Sequence, residues 1–249
     1  MFPSIRGWTD VDRTHPANVK LGAVLAFVAG ATNAGGFLAV GQYTSHMTGI
    51  LSSVADNLVL GQFTLIVAAV GALLAFLCGA MTTAILVNWG LRRGLRSAYG
   101  LPLLLESAAL LVFGLFGASM NVFVPLFLPL TVVLLCFIMG LQNAVITKIS
   151  RAEIRTTHVT GLVTDIGIEL GKLLYVNARA DSLPVLANRQ RLRIHSLLLA
   201  SFFAGGLFGA FGFKYAGFVT TVPLAIALWV LCLRPLLHDL RHARMLGAK

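Results

Sequence analysis

The chain has 249 residues, of which 57% are hydrophobic and only 11% are charged, and its mean hydropathy is +0.86. These values far exceed those of soluble domains and predict an integral membrane protein, with residues 1–249 forming a single membrane domain. The formal net charge is +10. Membrane topology and attraction to anionic lipids account for this charge, so we expect membrane lipids as partners and no binding of nucleic acid.

Six apolar stretches are each long enough to cross a bilayer as a helix, since one crossing needs about 20 residues. All of the 19 lysines and arginines except Lys214 lie at or before the start of the first stretch, after the second, between the fourth and fifth, or near or beyond the end of the sixth. The positive-inside rule therefore predicts that both termini are cytoplasmic and that residues 176–193 form a basic cytoplasmic loop. The six predicted spans are residues 20–41, 63–89, 100–120, 124–147, 194–213 and 215–237.

A polar motif of six residues occurs twice in the chain. Residues 44–49 read TSHMTG, and residues 156–161 read TTHVTG. Each copy follows an apolar span that contains an asparagine, Asn33 in the first case and Asn143 in the second. We call residues 44–49 the first motif and residues 156–161 the second motif. Their recurrence predicts two homologous halves.

The two predicted halves are residues 20–121 and 122–237, and each contains three spans. An odd number of crossings reverses the direction of entry, so the sequence predicts inverted repeats. The predicted fold is an all-α polytopic membrane protein with six transmembrane helices. Inverted repeats recur in secondary transporters, which hold their solute near the midplane of the membrane. Some channels also contain them, so the pattern favours a solute pathway more strongly than it favours a carrier over a pore.

A short amphipathic segment follows each motif. Leu162, Ile166 and Leu170 recur every four residues, which predicts a helix that is too short to span the membrane. We expect Thr48 and Thr160 to be the N-caps of these helices, whose starts attract anions or polar groups. Two interpretations remain open: the helices re-enter the membrane and frame a wet central cavity, or they lie flat at the interface.

The motifs carry a resemblance to a known family. The run GATNAGGFLAVGQYTSHMTG from Gly30 and the run GLQNAVITKISRAEIRTTHVTG from Gly140 resemble the YoaK-like family of largely uncharacterised bacterial inner-membrane proteins. The resemblance covers about residues 20–237. It implies a six-span protein of the bacterial inner membrane and names no substrate. This chain departs from the family pattern at two positions, since many relatives look like they carry aspartate in place of Asn33 and asparagine in place of Ile50. Asn33 cannot replace the charge of that aspartate.

The candidate substrate-binding residues are the polar side chains and glycines of the two motifs, together with the two asparagines. An amide inside an apolar span must find a partner, and hydrogen bonding between helices or contact with a solute are the two alternatives. The glycines allow a ligand or another backbone to approach closely. The set comprises Asn33, Thr44, Ser45, His46, Thr48, Gly49, Asn143, Thr156, Thr157, His158, Thr160 and Gly161.

The candidates for coupling solute movement to protons or ions are ionisable residues in or near the spans. Imidazole titrates near neutral pH, and either couples transport or bonds to the turn. Glu106 is the clearest intramembrane carboxylate, expected near the cytoplasmic interface, where it serves either proton coupling or a structural pairing. The aspartates that follow the two motifs do not align with each other. The set comprises His46, His158, Glu106, Asp56 and Asp165.

We expect neither a metal site nor a cofactor, because the two histidines have no third ligand at a local spacing and the three cysteines lie in separate apolar stretches. In the fifth span, the glycines Gly205, Gly206, Gly209 and Gly212 predict close helix packing or a homodimer face. No HExxH, GxSxG or P-loop motif occurs.

These observations predict a secondary transporter or permease, not an enzyme, that moves a small polar or anionic solute across the inner membrane. Two alternatives remain: a membrane-embedded enzyme that uses His46 and His158, or a lipid-binding membrane scaffold.

Overall fold

The computed structural model describes residues 7–119, 124–177 and 183–247. Within these ranges all regular secondary structure is helical, and no strand occurs. A short 3₁₀ helix, Gly217–Thr220, precedes the last helix. The helices are α1 (His15–Val40), α2 (Met47–Val59), α3 (Phe63–Arg92), α4 (Gly100–Ser119), α5 (Val124–Ser150), α6 (Val159–Leu174), α7 (Arg189–Tyr215) and α8 (Thr221–Gly247).

Six helices, α1, α3, α4, α5, α7 and α8, are long and apolar enough to cross a membrane. This confirms the six-span, all-α fold class, whereas α2 and α6 are short. Helix α7 starts earlier than predicted, so residues 189–193 belong to a helix and not to the basic loop. The side chain of Asn188 accepts a hydrogen bond from the backbone N–H of Arg191 and so caps this earlier start. The predicted boundary between the halves, at residues 121 and 122, lies outside the described residues.

Helices α1 and α7 pack closely in the same direction. Gly30 of α1 lies against the backbone of Phe202, and Gly205 of α7 lies against the backbone of Phe27. Nearer the C-terminal ends of both helices, Gly35 of α1 contacts the ring of Phe213 of α7. A Cβ at any of these glycines would collide with its neighbour, so the absence of a side chain lets the helices touch. The glycines of the fifth span thus pack within the chain, as one of the two interpretations predicted.

Helices α3 and α5 repeat this arrangement. Gly140 of α5 lies against the backbone of Phe76, and Gly79 of α3 lies against that of Phe137. This pair is also parallel, since the side chain of Lys148 donates a hydrogen bond to that of Asn88 further along both helices, at 3.2 Å. Helices α4 and α8 run in opposite directions, with Ser107 Oγ bonded to the carbonyl of Ala225. These directions agree with alternate crossings by successive spans.

The remaining contacts assemble one bundle. Helix α4 also packs on α5, and α5 packs on α1. The short helix α2 lies on α3, and α6 lies on α7. The principal apolar core fills the space between α1, α4, α5 and α8, and its largest buried side chains include Leu25, Leu103, Leu110, Phe113, Leu135 and Ile138.

Both ends of the described chain lie on one face of the bundle. The guanidinium of Arg96, just before α4, contacts Asp10 and Asp12 near the start of α1. The backbone N–H of Arg96 donates to the carboxylate of Asp239 on α8. We call this the basic face, because the helix ends gathered here carry most of the positive charges of the described chain.

Each short helix directs some of its polar side chains toward the bundle. Glu169 of α6 is only 2% exposed, whereas Leu174 of the same helix is 83% exposed. In α2, Ser53 and Asn57 line a cleft against α3, while Leu58 is 63% exposed. Leucines of both helices thus point away from the protein, whereas Met47 and Ile50 of α2 and Leu162 of α6 pack inward.

Candidate functional site

Each asparagine of the spans holds the motif that follows it. Ser45 Oγ donates a hydrogen bond to Asn33 Oδ1 at 2.9 Å, and Thr157 Oγ1 donates to Asn143 Oδ1 at 2.7 Å. The Asn143 amide also donates to the carbonyl of Met139, at 2.8 Å. The two amides therefore have partners within the protein, and the same bond forms once in each half.

The first motif lies well inside the membrane-spanning length of the bundle. Met47, its fourth residue, packs against a buried cluster that contains Ala75 of α3 and Cys136 of α5. Ala75 lies about 18 Å along α3 from the first residue of that helix, at 1.5 Å per residue. Helix α2 therefore begins deep in the bundle and runs outward toward the start of α3.

The two asparagines lie at similar depths. Helices α1 and α5 are antiparallel, and Gly36 of α1 lies against Leu135 of α5. Counting along both helices from this contact places Asn33 and Asn143 within roughly 8 Å of each other along the bundle axis. Each motif then faces the opposite end of the bundle. Among the described residues, no hydrogen bond or ion pair joins the two motifs.

The N-caps of the short helices are histidines, so the prediction of Thr48 and Thr160 was wrong. Helix α2 begins directly after His46, and helix α6 begins directly after His158. Both threonines lie in the first turn and are exposed. The sequence rule favoured hydroxyl caps, but here the helix starts two residues earlier, and neither histidine ring makes a cap hydrogen bond.

The glycines of the motifs make room for these rings. A Cβ on Gly49 would collide with the imidazole of His46, and a Cβ on Gly161 would collide with that of His158. Both rings are exposed at their outer side. Each ring thus lies over the first turn of its helix, and the glycine is required for that position.

Two further motif residues, Thr44 and Thr156, are completely buried. Neither hydroxyl has a hydrogen-bond partner among the described residues. A buried hydroxyl without a partner costs free energy. It nevertheless occurs at the same place in both motifs, and no hydrogen bond within the described chain explains the polar residue there.

The second motif opens into a cleft of about 720 Å³ between α6 and α7 on the basic face, which we call the α6–α7 cleft. Asp165 in this cleft contacts Arg191 Nη2 at 3.2 Å and His195 Nδ1 at 3.5 Å. His195 is buried, with its side chain only 7% exposed. Arg155 and His158 also line the cleft.

Glu169 ties α6 to the start of α7. Its carboxylate accepts a hydrogen bond from Lys172 Nζ at 2.8 Å and another from the backbone N–H of Asn188 at 2.6 Å. These bonds, that from Lys172 first, hold the pKa of the Glu169 carboxyl below its ordinary value. The tether fixes one wall of the α6–α7 cleft.

The first half has a smaller cleft of about 240 Å³ between α2 and α3, which we call the α2–α3 cleft. Ser53 lines it at the place where Asp165 lines the other cleft, four residues after the glycine of its motif. When α3 and α7 are aligned on Gly79 and Gly205, Ala69 takes the place of His195. No ionisable side chain lines this cleft among the described residues.

The remaining coupling candidates lie apart from both clefts. Glu106 is completely buried between α4 and α5, and its Oε1 accepts a hydrogen bond from Gln142 Nε2 at 2.9 Å. The second carboxylate oxygen has no partner among the described residues. Asp56 is exposed on α2. In the described part of the chain, no group of three histidine, cysteine, aspartate or glutamate residues is arranged to hold a metal ion.

Sequence reasoning missed three residues of the α6–α7 cleft, Arg155, Arg191 and His195. A signal for the first was present: Arg155 precedes the second motif, whereas Tyr43 precedes the first. Comparing the two halves for differences in charge, as well as for similarity, would have found it. The other two depend on how α7 packs on α6.

The chain belongs to the DUF1275 family, described as a protein of unknown function, which matches residues 21–233. The resemblance to YoaK-like proteins is consistent with this family. Comparison with curated proteins and with solved structures gives no match.

Proposed function

We propose that this member of the DUF1275 family is a secondary transporter or permease that moves a small polar or anionic solute by alternating access of two inverted repeats. The observation that carries the proposal is the duplicated site. In each half, an asparagine of a span holds a polar motif inside the bundle, and a short helix runs from that motif toward the membrane surface.

The contacts between the spans support the inverted repeats. The α1–α7 pair uses Gly30 and Gly205, and the α3–α5 pair uses Gly140 and Gly79 at corresponding positions. Each pair combines the first span of one half with the second span of the other half. Such an exchange gives two similar arrangements of opposite direction, as alternating access requires.

The orientation of the short helices favours the interpretation in which they frame a central cavity. It is less consistent with helices that lie flat at the interface. Backbone ends inside a membrane persist only where protein or water satisfies them. Helices α2 and α6 expose apolar residues outward and direct Ser53, Asp165 and Glu169 toward the bundle. A helix lying at the interface would instead turn its polar side to water.

The difference between the clefts supports a state that is open toward the basic face, where the cleft volume is about 720 Å³ against about 240 Å³ on the other side. By the positive-inside rule, we place the basic face and both termini in the cytoplasm and the protein in the bacterial inner membrane. Reporter fusions at the two termini test this orientation. A homodimer remains part of the proposal.

An enzyme is the weaker alternative. Catalysis assembles its groups around one reacting centre, whereas His46 and His158 begin two helices that pack on different spans. A lipid-binding scaffold would not need two motifs of the same polar pattern at similar depth. The transporter accounts for both the duplication and the directions of the clefts.

Cysteine accessibility in liposomes tests alternating access. Ser53→Cys reports on the α2–α3 cleft and Thr164→Cys on the α6–α7 cleft, each in a background without Cys78, Cys136 and Cys232. Each reporter is also combined with a cross-linkable cysteine pair at positions 165 and 191; the link is shorter than the Asp165–Arg191 contact that it replaces, so it draws α6 against α7 and closes the α6–α7 cleft. We expect the link to lower labelling at Thr164→Cys and to raise labelling at Ser53→Cys by several-fold.

The contrary result is equal labelling of Ser53→Cys with and without the link, which would describe a static protein or a pore. A screen of ions and metabolites by thermal shift, followed by liposome flux, then identifies the solute. In flux, we expect His46→Ala and His158→Ala each to reduce transport at least several-fold. Unchanged flux in both variants would remove the role proposed for the histidines.

A further inference from the structure

We propose that the α6–α7 cleft binds a small oxyanion, a carboxylate or phosphate group, between the start of α6 and Arg155. The inference deepens the proposed function, since it takes this cleft as the cytoplasmic entrance for the solute. It names the chemistry that the entrance recognises.

The start of α6 supplies hydrogen-bond donors. The first backbone bond of the helix is donated by Leu162 to the carbonyl of His158, at 3.1 Å. The N–H groups of Val159, Thr160 and Gly161 precede it and therefore have no partner within the helix. The side chain of His158 does not cap them. Such groups, at the positive end of a helix, suit an oxyanion.

The buried wall of the cleft supplies a second polar group. His195 is buried, lines the cleft, and has no hydrogen-bond partner for Nδ1 among the described residues. Its nearest charged neighbour is Asp165, whose Oδ2 lies 3.5 Å away without a hydrogen bond to Nδ1, while Oδ1 of the same carboxylate is bonded to Arg191. A buried imidazole with an unused nitrogen is a donor or acceptor for a ligand in the cleft.

The fixed charges that line the cleft are two arginines, Arg155 and Arg191, and two carboxylates, Glu153 and Asp165. Arg191 offsets Asp165, and Glu153 at the rim is bonded to His15. Arg155 has no carboxylate partner among the described residues. Its guanidinium matches the two oxygens of a carboxylate or phosphate.

The α2–α3 cleft offers no such cation. Tyr43 takes the place of Arg155 and stacks on Phe37, with ring centroids 4.7 Å apart. We therefore expect the oxyanion to bind tightly at the basic face and weakly at the other face. This difference would favour release of the anion at the face where it binds weakly.

Thermal shift and calorimetry of the purified protein in neutral-lipid nanodiscs test the site. The probes are inorganic phosphate and acetate, with chloride at matched ionic strength as the reference. We expect phosphate or acetate to stabilise the wild type above chloride. Arg155→Gln should weaken binding about ten-fold or more, because it removes one charge-assisted contact. Arg155→Lys should recover part of the affinity.

Arg92→Gln is the matched control, since Arg92 is exposed at the end of α3 and lines none of the clefts described here. It should bind the probes like the wild type. The inference is overturned if Arg155→Gln responds like the wild type, or if chloride stabilises the protein as well as the oxyanions do.

A second arm distinguishes a free anion from a lipid headgroup. In nanodiscs with anionic phospholipid, a headgroup in the cleft would stabilise the wild type but not Arg155→Gln, and would suppress the response to phosphate. A free anion would bind in both lipids. Cysteine labelling does not depend on these probes, so a static cleft that binds phosphate would refute transport alone. A moving cleft without oxyanion binding would refute this inference alone.

Discussion

The two clefts share a backbone plan and differ in charge. Each is bounded by a short helix that packs on a span. The N-cap residue of this helix is a histidine, and its ring lies over a glycine of the first turn. The α6–α7 cleft carries Asp165, Arg191 and His195, whereas Ser53 and Ala69 line the α2–α3 cleft. The two halves thus share the element that holds the motif inside the bundle and differ in the side chains that line the clefts.

The short helices also differ in how firmly they are held. Glu169 accepts a hydrogen bond from Lys172 of its own helix and ties α6 to the start of α7 through its bond from Asn188. Asn57, at the corresponding place in α2, makes no side-chain hydrogen bond in the described chain, and α2 has no buried residue. We infer that α2 moves more readily against α3 than α6 moves against α7. If the proposed transport is correct, the two sides open by unequal means.

The largest effect is expected where the halves contact each other. Gly205→Ala places a Cβ against the backbone of Phe27, so α1 and α7 must separate, at a cost of roughly 1–3 kcal/mol. Gly79→Ala places one against the backbone of Phe137 and should cost a similar amount. The apparent Tm and the yield of folded protein measure both effects.

The neighbouring glycine is the matched control. A Cβ at Gly206 meets only the carbonyl oxygen of Gly30, at 3.9 Å, so Gly206→Ala should leave the Tm unchanged or raise it slightly. Equal destabilisation by Gly205→Ala and Gly206→Ala would contradict the close packing of α1 on α7. A large effect of Gly205→Ala without one of Gly79→Ala would contradict the similarity of the two helix pairs.

The sequence indicated these contacts only in part. Hydropathy fixed six spans because a 30 Å hydrocarbon layer demands long apolar helices, and the duplicated motif located Asn33 and Asn143. The pairing of α1 with α7 was not predictable, since spacing shows that glycines pack closely but not against which helix. The N-cap positions of His46 and His158 were missed because capping preferences favour side chains that bond to the helix start, and these rings lie over a glycine without making such a bond.

A smaller effect is expected from the charge that distinguishes the clefts. Asp165→Asn removes the charged partner of Arg191, and should destabilise the protein by about 0.2–1 kcal/mol, because the Arg191–Asp165 pair is partly exposed. The apparent Tm at low ionic strength measures this loss, which salt should reduce. Asp56→Asn is the control, as Asp56 is exposed on α2 and should be neutral. Equal effects of the two substitutions would mean that Asp165 makes no net contribution to stability.

The smallest effect is a dependence on pH that only the tethered half should show. Because the bonds from Lys172 and Asn188 lower the pKa of Glu169 in the folded protein, the unfolded chain takes up the proton at a higher pH than the folded chain does. The resulting stabilisation is fully present above the ordinary carboxyl pKa of about 4.3 and disappears as the pH falls through the lower folded value. Glu169→Gln should therefore have a lower Tm than the wild type at pH 7, and the gap should narrow in acid. A gap that stays constant with pH would show that the carboxylate charge does not hold α6 in place, and Asn57→Ala in α2 should give no pH-dependent gap.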